Sequence, residues 1–350
     1  MTHPPGSPVS VAAPTRLTPR HLVIAVAGLV VVVVAAVLIG AVDLGPGRVF
    51  GEVWAQVTGG TSPLSSTEAA ILWQLRVPRV LLGVLVGAAL ACCGAAFQGV
   101  FRNPLADPYL LGAAAGAGLG ATLMIVLVTP DTLPIDPVPA GAFVGALVGV
   151  GLAWLVSQSA GSGPGVLVLA GVAVAAFLSA VQLALQTAHP DRIRAIYSFI
   201  LGSLGTPGWG AVVQTAIYVG VSCGALAGCG RLLDVLSLGD TEASTLGIRP
   251  GRARLLIVVA ASLGTAAAVS VSGLIGFVGL VVPHLVRLVL GGSFRVILPV
   301  SLLAGGAFLV LADLLARTVV SPAELPVGVV TAFVGGPFFA LLLRRTKVPA

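Results

Sequence analysis

A single lysine, Lys347, stands in the 350 residues, and charged side chains of all kinds make up only 9% of them. The first scarcity excludes a nucleotide site of the phosphate-loop type. That loop needs Gly-Lys-Ser/Thr, and Lys347 lies between Thr346 and Val348. The second excludes an ordinary soluble domain, in which about a quarter of residues are charged. Cysteine is sparse too. Cys92, Cys93, Cys223 and Cys229 form no CxxC pair and lie in or at the ends of apolar runs, so they read as small packing residues and not as a disulfide or metal set. No apolar run carries Asp, Glu, Lys or Arg near its midpoint. That argues against an ion-coupled secondary transporter, which places ionisable or unwound groups at mid-depth.

What the chain has is hydrophobicity: 57% apolar residues and a mean hydropathy of +1.09. The runs are continuous, not alternating, which points to membrane helices and away from a membrane β-barrel. Ten apolar segments are predicted, at about 22–42, 78–101, 109–128, 138–157, 165–187, 195–204 continuing into 210–229, 254–272, 274–291, 296–316 and 325–343. The first is 21 residues long, beyond the 7–15 of a signal-peptide core, and reads as a retained span. Residues 1–20 read as a disordered tail rich in Pro, Ser and Thr, before an all-α polytopic membrane domain over 21–345. The stretch HPDRIRAIYSFILGSLGTPGW (189–209) reads as a loop and a short helix. Glycines recur at four-residue spacing at 83 and 87, at 112, 116 and 120, and at 141, 145 and 149, a pattern that lets helices approach closely in lipid.

Ten spans put both termini on one side. With the N-terminus inside, 12 of the 18 basic residues fall on the inner side, and eight of the 12 acidic residues fall outside. The positive-inside rule therefore places both termini in the cytoplasm. The net charge of +6 then follows from topology and gives no reason to expect nucleic-acid binding.

The polar clusters are few. In RNPLADP, Pro104 and Pro108 stop the preceding helix, Asn103 bonds backbone freed at the turn, and Arg102 and Asp107 supply opposite charges. The inner segment 231–253 contains LSLGDTEASTLGI, in which Gly239 and Gly247 break two short helices. Asp240 or Thr241 is placed to cap the second of them, with Ala243 and Leu246 on an apolar face. On the outer side stand Arg76, Arg79 and Arg317, against the topology rule. They suit an acidic partner docking from outside, anchoring to lipid phosphate, or internal pairing such as Arg317 with Asp313 at i, i+4. Pro283 and His284 share one motif, GFVGLVVPHLVR, where a lone His beside Pro is a packing residue more often than a ligand.

Together, LRVPR (75–79), VGAALACCGAAFQGVFRNPLADPYLLG (86–112), LGSLGTPGW (201–209), LGDTEASTLGI (238–248), SGLIGFVGLVVPHLVR (272–287), ADLLAR (312–317) and AELPVGVVTAFVGGPFF (323–339) closely resemble the FecCD-like permeases of type II ABC importers. Those carry iron-siderophores, cobalamin or haem, and the match runs from about residue 20 to 343. The resemblance implies a ten-helix permease fold paired with a second permease subunit, the same chain or a paralogue, in a bacterial cytoplasmic membrane. Two cytoplasmic ATPase subunits would bind ATP and dock on Leu238, Gly239, Asp240, Ala243, Leu246 and Gly247. An extracytoplasmic substrate-binding lipoprotein would dock on Arg76, Arg79 and Arg317. The expected function is ATP-driven uptake of ferric siderophore, with cobalamin or haem as the alternative. The chain itself would be no enzyme and hold no cofactor or metal.

Overall fold

The computed structural model describes residues 17–40, 42–128, 136–160, 164–205 and 208–345. Arg16, Asp131 and Lys347, used above to judge topology, lie outside the described residues, as does most of the expected tail. In chain order the helices are α1 (Pro19–Leu38), α2 (Pro46–Thr58), α3 (Ser66–Ala70), α4 (Val77–Phe101), α5 (Ala113–Leu127), α6 (Val138–Ala160), α7 (Pro164–Ala188), α8 (Ile193–Ile200), α9 (Gly208–Gly228), α10 (Gly230–Leu238), α11 (Asp240–Thr245), α12 (Pro250–Ser272), α13 (Val278–Leu290), α14 (Phe294–Thr318) and α15 (Val327–Arg345). No strand occurs among the described residues. Among the described residues seven continuous helices are long and apolar enough to cross a membrane, and three shorter apolar helices, α5, α13 and α15, bring the number to ten.

Two boundaries differ from expectation. Helix α1 starts at Pro19, inside the expected tail. The second span runs unbroken from Ser66 to Phe101, twelve residues ahead of its predicted start. It opens on a capping box in which the Ser65 hydroxyl accepts from the Glu68 N–H and the Glu68 carboxylate accepts from the Ser65 N–H. It then passes through a π-helical stretch, Ile71–Arg76, and such bulges rotate the following side chains relative to a regular helix. Helix α2 was not foreseen at all.

Helix α4 is the axis of the bundle, buried along nearly all its length and packed by α9, α12, α13 and α14. Lipid tails are as apolar as Leu, so close van der Waals packing must hold such helices together. Glycine supplies it. A Cβ on Gly87 would collide with the Gly305 carbonyl of α14, and one on Gly94 with the Gly279 carbonyl of α13. Helices α5 and α6 mesh in the same way, with Gly116 against Gly145 and Gly120 against Gly141. Pro283 inside α13 has no N–H to give the Gly279 carbonyl. The Gln98 side chain of α4 gives one in its place, at 3.2 Å. That fixes the role of Pro283 and explains an amide inside a membrane helix.

Candidate functional site

Polar structure gathers at the two ends of the bundle. At one end lie α10 and α11, joined at Gly239, whose φ of 136° and ψ of 164° suit only a residue without Cβ. Gly247, at φ 80°, closes the second helix. The expected pair of short helices is therefore present, but its capping differs. Gly239 holds the N-cap position, and Asp240 is the first helical residue. Its carboxylate accepts from Arg254 Nη1 at 2.8 Å and Arg102 Nη2 at 3.3 Å, and the Arg254 hydrogen bond foremost holds its pKa below the ordinary value. The single apolar face expected for Ala243 and Leu246 is also corrected. Ala243 is fully buried, whereas Leu246 and Leu238 are 62% and 64% exposed, so two leucines project from the end of the bundle beside the ion pair.

Arg102 ties this element to RNPLADP. It ends α4 in the left-handed conformation, φ 52°, and the Asn103 N–H reaches back to the Gln98 carbonyl at 3.1 Å, closing the helix with a six-to-one bond. Asn103 Oδ1 then accepts from the Leu105 N–H and Asp107 Oδ1 from the Tyr109 N–H, both at 2.9 Å. Pro108 opens a short 3-10 turn, Pro108–Leu111. The Tyr109 hydroxyl donates to the Ile275 carbonyl at 3.0 Å and accepts from the Ile275 N–H at 3.1 Å. Ile275 lies in the non-helical link between α12 and α13. That link is bonded to α8 through Leu274 N–H and Phe199 O, 3.3 Å, and beside it the Ser203 N–H, just past α8, donates to the carbonyl of Ser272 at the end of α12, 2.8 Å. One connected path thus runs from the exposed leucines through Asp240, Arg102 and Tyr109 to the interior link.

Sequence reasoning passed over Asp234 of α10. Its carboxylate accepts from the Phe294 N–H at 2.6 Å, the Ser293 hydroxyl at 3.0 Å and Arg295 Nε at 3.0 Å. It caps the start of α14, where an anion is favoured by the helix dipole, and so anchors α10. The signal was an acid on a short helix facing an SFR triplet 59 residues away, which spacing alone does not reveal.

At the opposite end the three outer arginines meet, but they turn inward. Arg76 is 5% and Arg317 4% exposed. Arg76 donates to the carbonyls of Val37 at 2.9 Å, Leu38 at 3.3 Å and Val42 at 2.6 Å. Arg317 donates to the Ala36 carbonyl at 2.7 Å and pairs with Asp313 at 3.4 Å. Two guanidinium groups thus satisfy the last carbonyls of α1, which no intrahelical N–H can reach. Arg79 pairs with Asp313 at 2.9 Å and Glu324 at 2.9 Å. The expectation that all three face a docking partner is corrected for Arg76 and Arg317, whose positive charge is needed inside; Arg79, through the half-exposed Glu324, is the edge of the cluster that reaches the surface. His284 is packed beside Phe338, with ring centroids 6.1 Å apart. All four cysteines are buried free thiols.

A large cavity of about 1070 Å³ opens among α6, α8, α9 and α12, with Phe143, Gln214, Thr215, Tyr218 and Ser270 in its wall.

Comparison with known proteins places this architecture. The family model described as the FecCD transport family matches residues 28–345. A cobalamin import system permease protein of Halobacterium salinarum is 44% identical over 81% of this chain and 76% of its own length. An Fe(3+) dicitrate transport system permease protein of Escherichia coli is 39% identical over 79% of this chain and 86% of its own. A solved inward-facing conformation of an ABC transporter assigned to the metal-chelate type aligns with a TM-score of 0.79 at 28% identity, over 94% of this chain and 99% of that one.

Proposed function

The chain belongs to the FecCD transport family, and from that premise we propose that it is the membrane-spanning subunit of an ATP-driven importer that takes up ferric siderophore across a bacterial cytoplasmic membrane. It works with a second permease subunit, two separate ATPase subunits and an extracytoplasmic binding lipoprotein, with both termini in the cytoplasm. The observation that carries the reading is the path from Leu238 and Leu246 through Asp240, Arg102 and Tyr109 to the α12–α13 link. The two leucines give a cytoplasmic ATPase an apolar grip. The Arg254–Asp240–Arg102 bridge makes the short helices one body with the end of α4 and the start of α12, so that docking cannot move them alone.

Energy enters by population shift. An ATPase pair that binds ATP more tightly when closed favours whichever arrangement of the spans goes with closure, by no more than that difference in affinity. On the outer face, a carboxylate of the binding lipoprotein reaches the arginine cluster at Arg79 by taking the place of Glu324. Ferric siderophore is the first reading because the dicitrate permease and the metal-chelate structure both concern chelated metal. Cobalamin is the second, on the Halobacterium relative, and haem completes the alternative.

The test is uptake by the assembled transporter in proteoliposomes, with iron supplied on a panel of siderophores and labelled cobalamin and haem alongside. Ferric-siderophore uptake that needs ATP is expected. Leu238→Arg with Leu246→Arg should abolish it while the permease still folds, because both side chains face solvent and neither fills the core. Uptake that proceeds in the chain alone, without an ATPase, would sink the proposal; uptake confined to cobalamin or haem would move the substrate and keep the mechanism.

A further inference from the structure

Helix α2 is built inside out for a helix in water. Its one acidic side chain, Glu52, points inward, where the carboxylate accepts from the Trp73 indole N–H at 3.1 Å and from the Ser62 hydroxyl. Val49 and Ala55 pack on the same inner side. Arg48 is engaged by Glu68 at 2.8 Å. The outward side carries Phe50, Val53, Trp54 and Val57, at the i, i+3, i+4, i+7 positions of a single stripe, with Trp54 70% and Val57 78% exposed. No charge lies on that stripe.

Two observations say what covers it. The stripe follows directly in sequence on α1, the preceding span, whose Val23, Ile24, Val30, Val31 and Val34 are likewise exposed apolar side chains. The depth of α2 is also fixed. Glu52 holds it to Trp73, and the Trp73 carbonyl accepts from the Trp209 indole N–H at 2.9 Å, at the start of α9. Three of the four tryptophans, Trp54, Trp73 and Trp209, therefore share one level at the end of the bundle that holds Asp313. Tryptophan gathers at that depth because its ring is apolar and its N–H polar.

The geometry points to α2 as an interfacial helix whose Phe50–Val57 stripe is seated in the bilayer, at the boundary between headgroups and acyl chains on the Asp313 side. Its occupant is lipid. The helix lies in the membrane plane, outside the bundle of spans, and braces the α1–α3 connection against the bilayer surface. This goes beyond the transport reading and does not depend on the substrate.

The test is site-directed spin labelling of the full chain reconstituted in phosphatidylcholine–phosphatidylglycerol liposomes. Nitroxides are placed singly by Phe50→Cys, Trp54→Cys and Val57→Cys, with Gly60→Cys as a reference in the exposed turn after α2. The unsubstituted chain reports background from the buried native thiols. Collision with oxygen, which concentrates in lipid, is compared with collision with a water-soluble nickel chelate. A ratio favouring oxygen severalfold over Gly60→Cys at all three stripe positions is expected. A ratio favouring nickel at these positions would place the stripe in water and overturn the proposal. Low collision with both reagents would mean that protein covers it, a second copy of this chain among the candidates, and would overturn it equally.

Discussion

Asp313→Asn is expected to lower the stability of the permease by about 3–5 kcal/mol, the usual cost of removing one partner from a buried ion pair. The carboxylate is 1% exposed and is the shared anion of two guanidinium groups, Arg79 at 2.9 Å and Arg317 at 3.4 Å. Asparagine keeps the shape and loses the charge, so the two cations then face each other across a low-dielectric site with only Glu324 at the edge. The cost should exceed that of Glu324→Gln, whose partner contact is half exposed, where ion pairs contribute about 1 kcal/mol or less. Thermal unfolding in detergent, read by a thiol-reactive dye on the buried cysteines, measures both. A double-mutant cycle with Arg79→Met isolates the pair. If Asp313→Asn and Glu324→Gln shift the midpoint equally, Asp313 is not the keystone of this end.

The second large effect is expected at the α5–α6 contact. Gly116→Val should cost about 3 kcal/mol or more, at or beyond the upper end of ordinary overpacking, because the added Cβ meets a carbonyl of the facing backbone and not a side chain that can swing away. Gly145→Val should do the same from the other side. Gly220→Ala is the internal comparison. Nothing lies within 4 Å of a Cβ there, and the added methyl should be neutral or mildly stabilising through the helix propensity of alanine. Recovery of monodisperse protein by size-exclusion chromatography separates the outcomes. Equal recovery of Gly116→Val and Gly220→Ala would show that α5 and α6 can separate without loss.

Much of this was legible in the sequence because the membrane imposes a simple code. Continuous apolar runs become helices, and all ten predicted segments correspond to apolar helices. The glycine spacing announced close helix packing, which the structure realises between α5 and α6, and Gly239 and Gly247 forecast the paired short helices. The losses have a common cause, which is charge neutralised by a distant partner. The second span starts at Ser66 and not near residue 78 because Glu68 and Arg76 look like loop residues, yet Arg48 and the α1 carbonyls absorb their charge. Helix α2 escaped because its only acid is inside and its apolar stripe outside, the reverse of an ordinary amphipathic pattern. The inward turn of Arg317 needed knowledge of the Ala36 carbonyl, 281 residues away.

The first helix has a consequence for anyone shortening the protein. Only Ala36 of α1 is buried, so by packing alone the helix looks dispensable, a lipid-facing rod added to the edge of a finished bundle. Yet Arg76 and Arg317 spend four hydrogen bonds on its final carbonyls and on Val42. A version beginning after residue 42 would strip Arg76 of the carbonyls it donates to and leave Arg317 with Asp313 as its partner in place of the Ala36 carbonyl. The N-terminal helix serves as a counterion made of backbone, and trimming it is an electrostatic lesion more than a loss of packing.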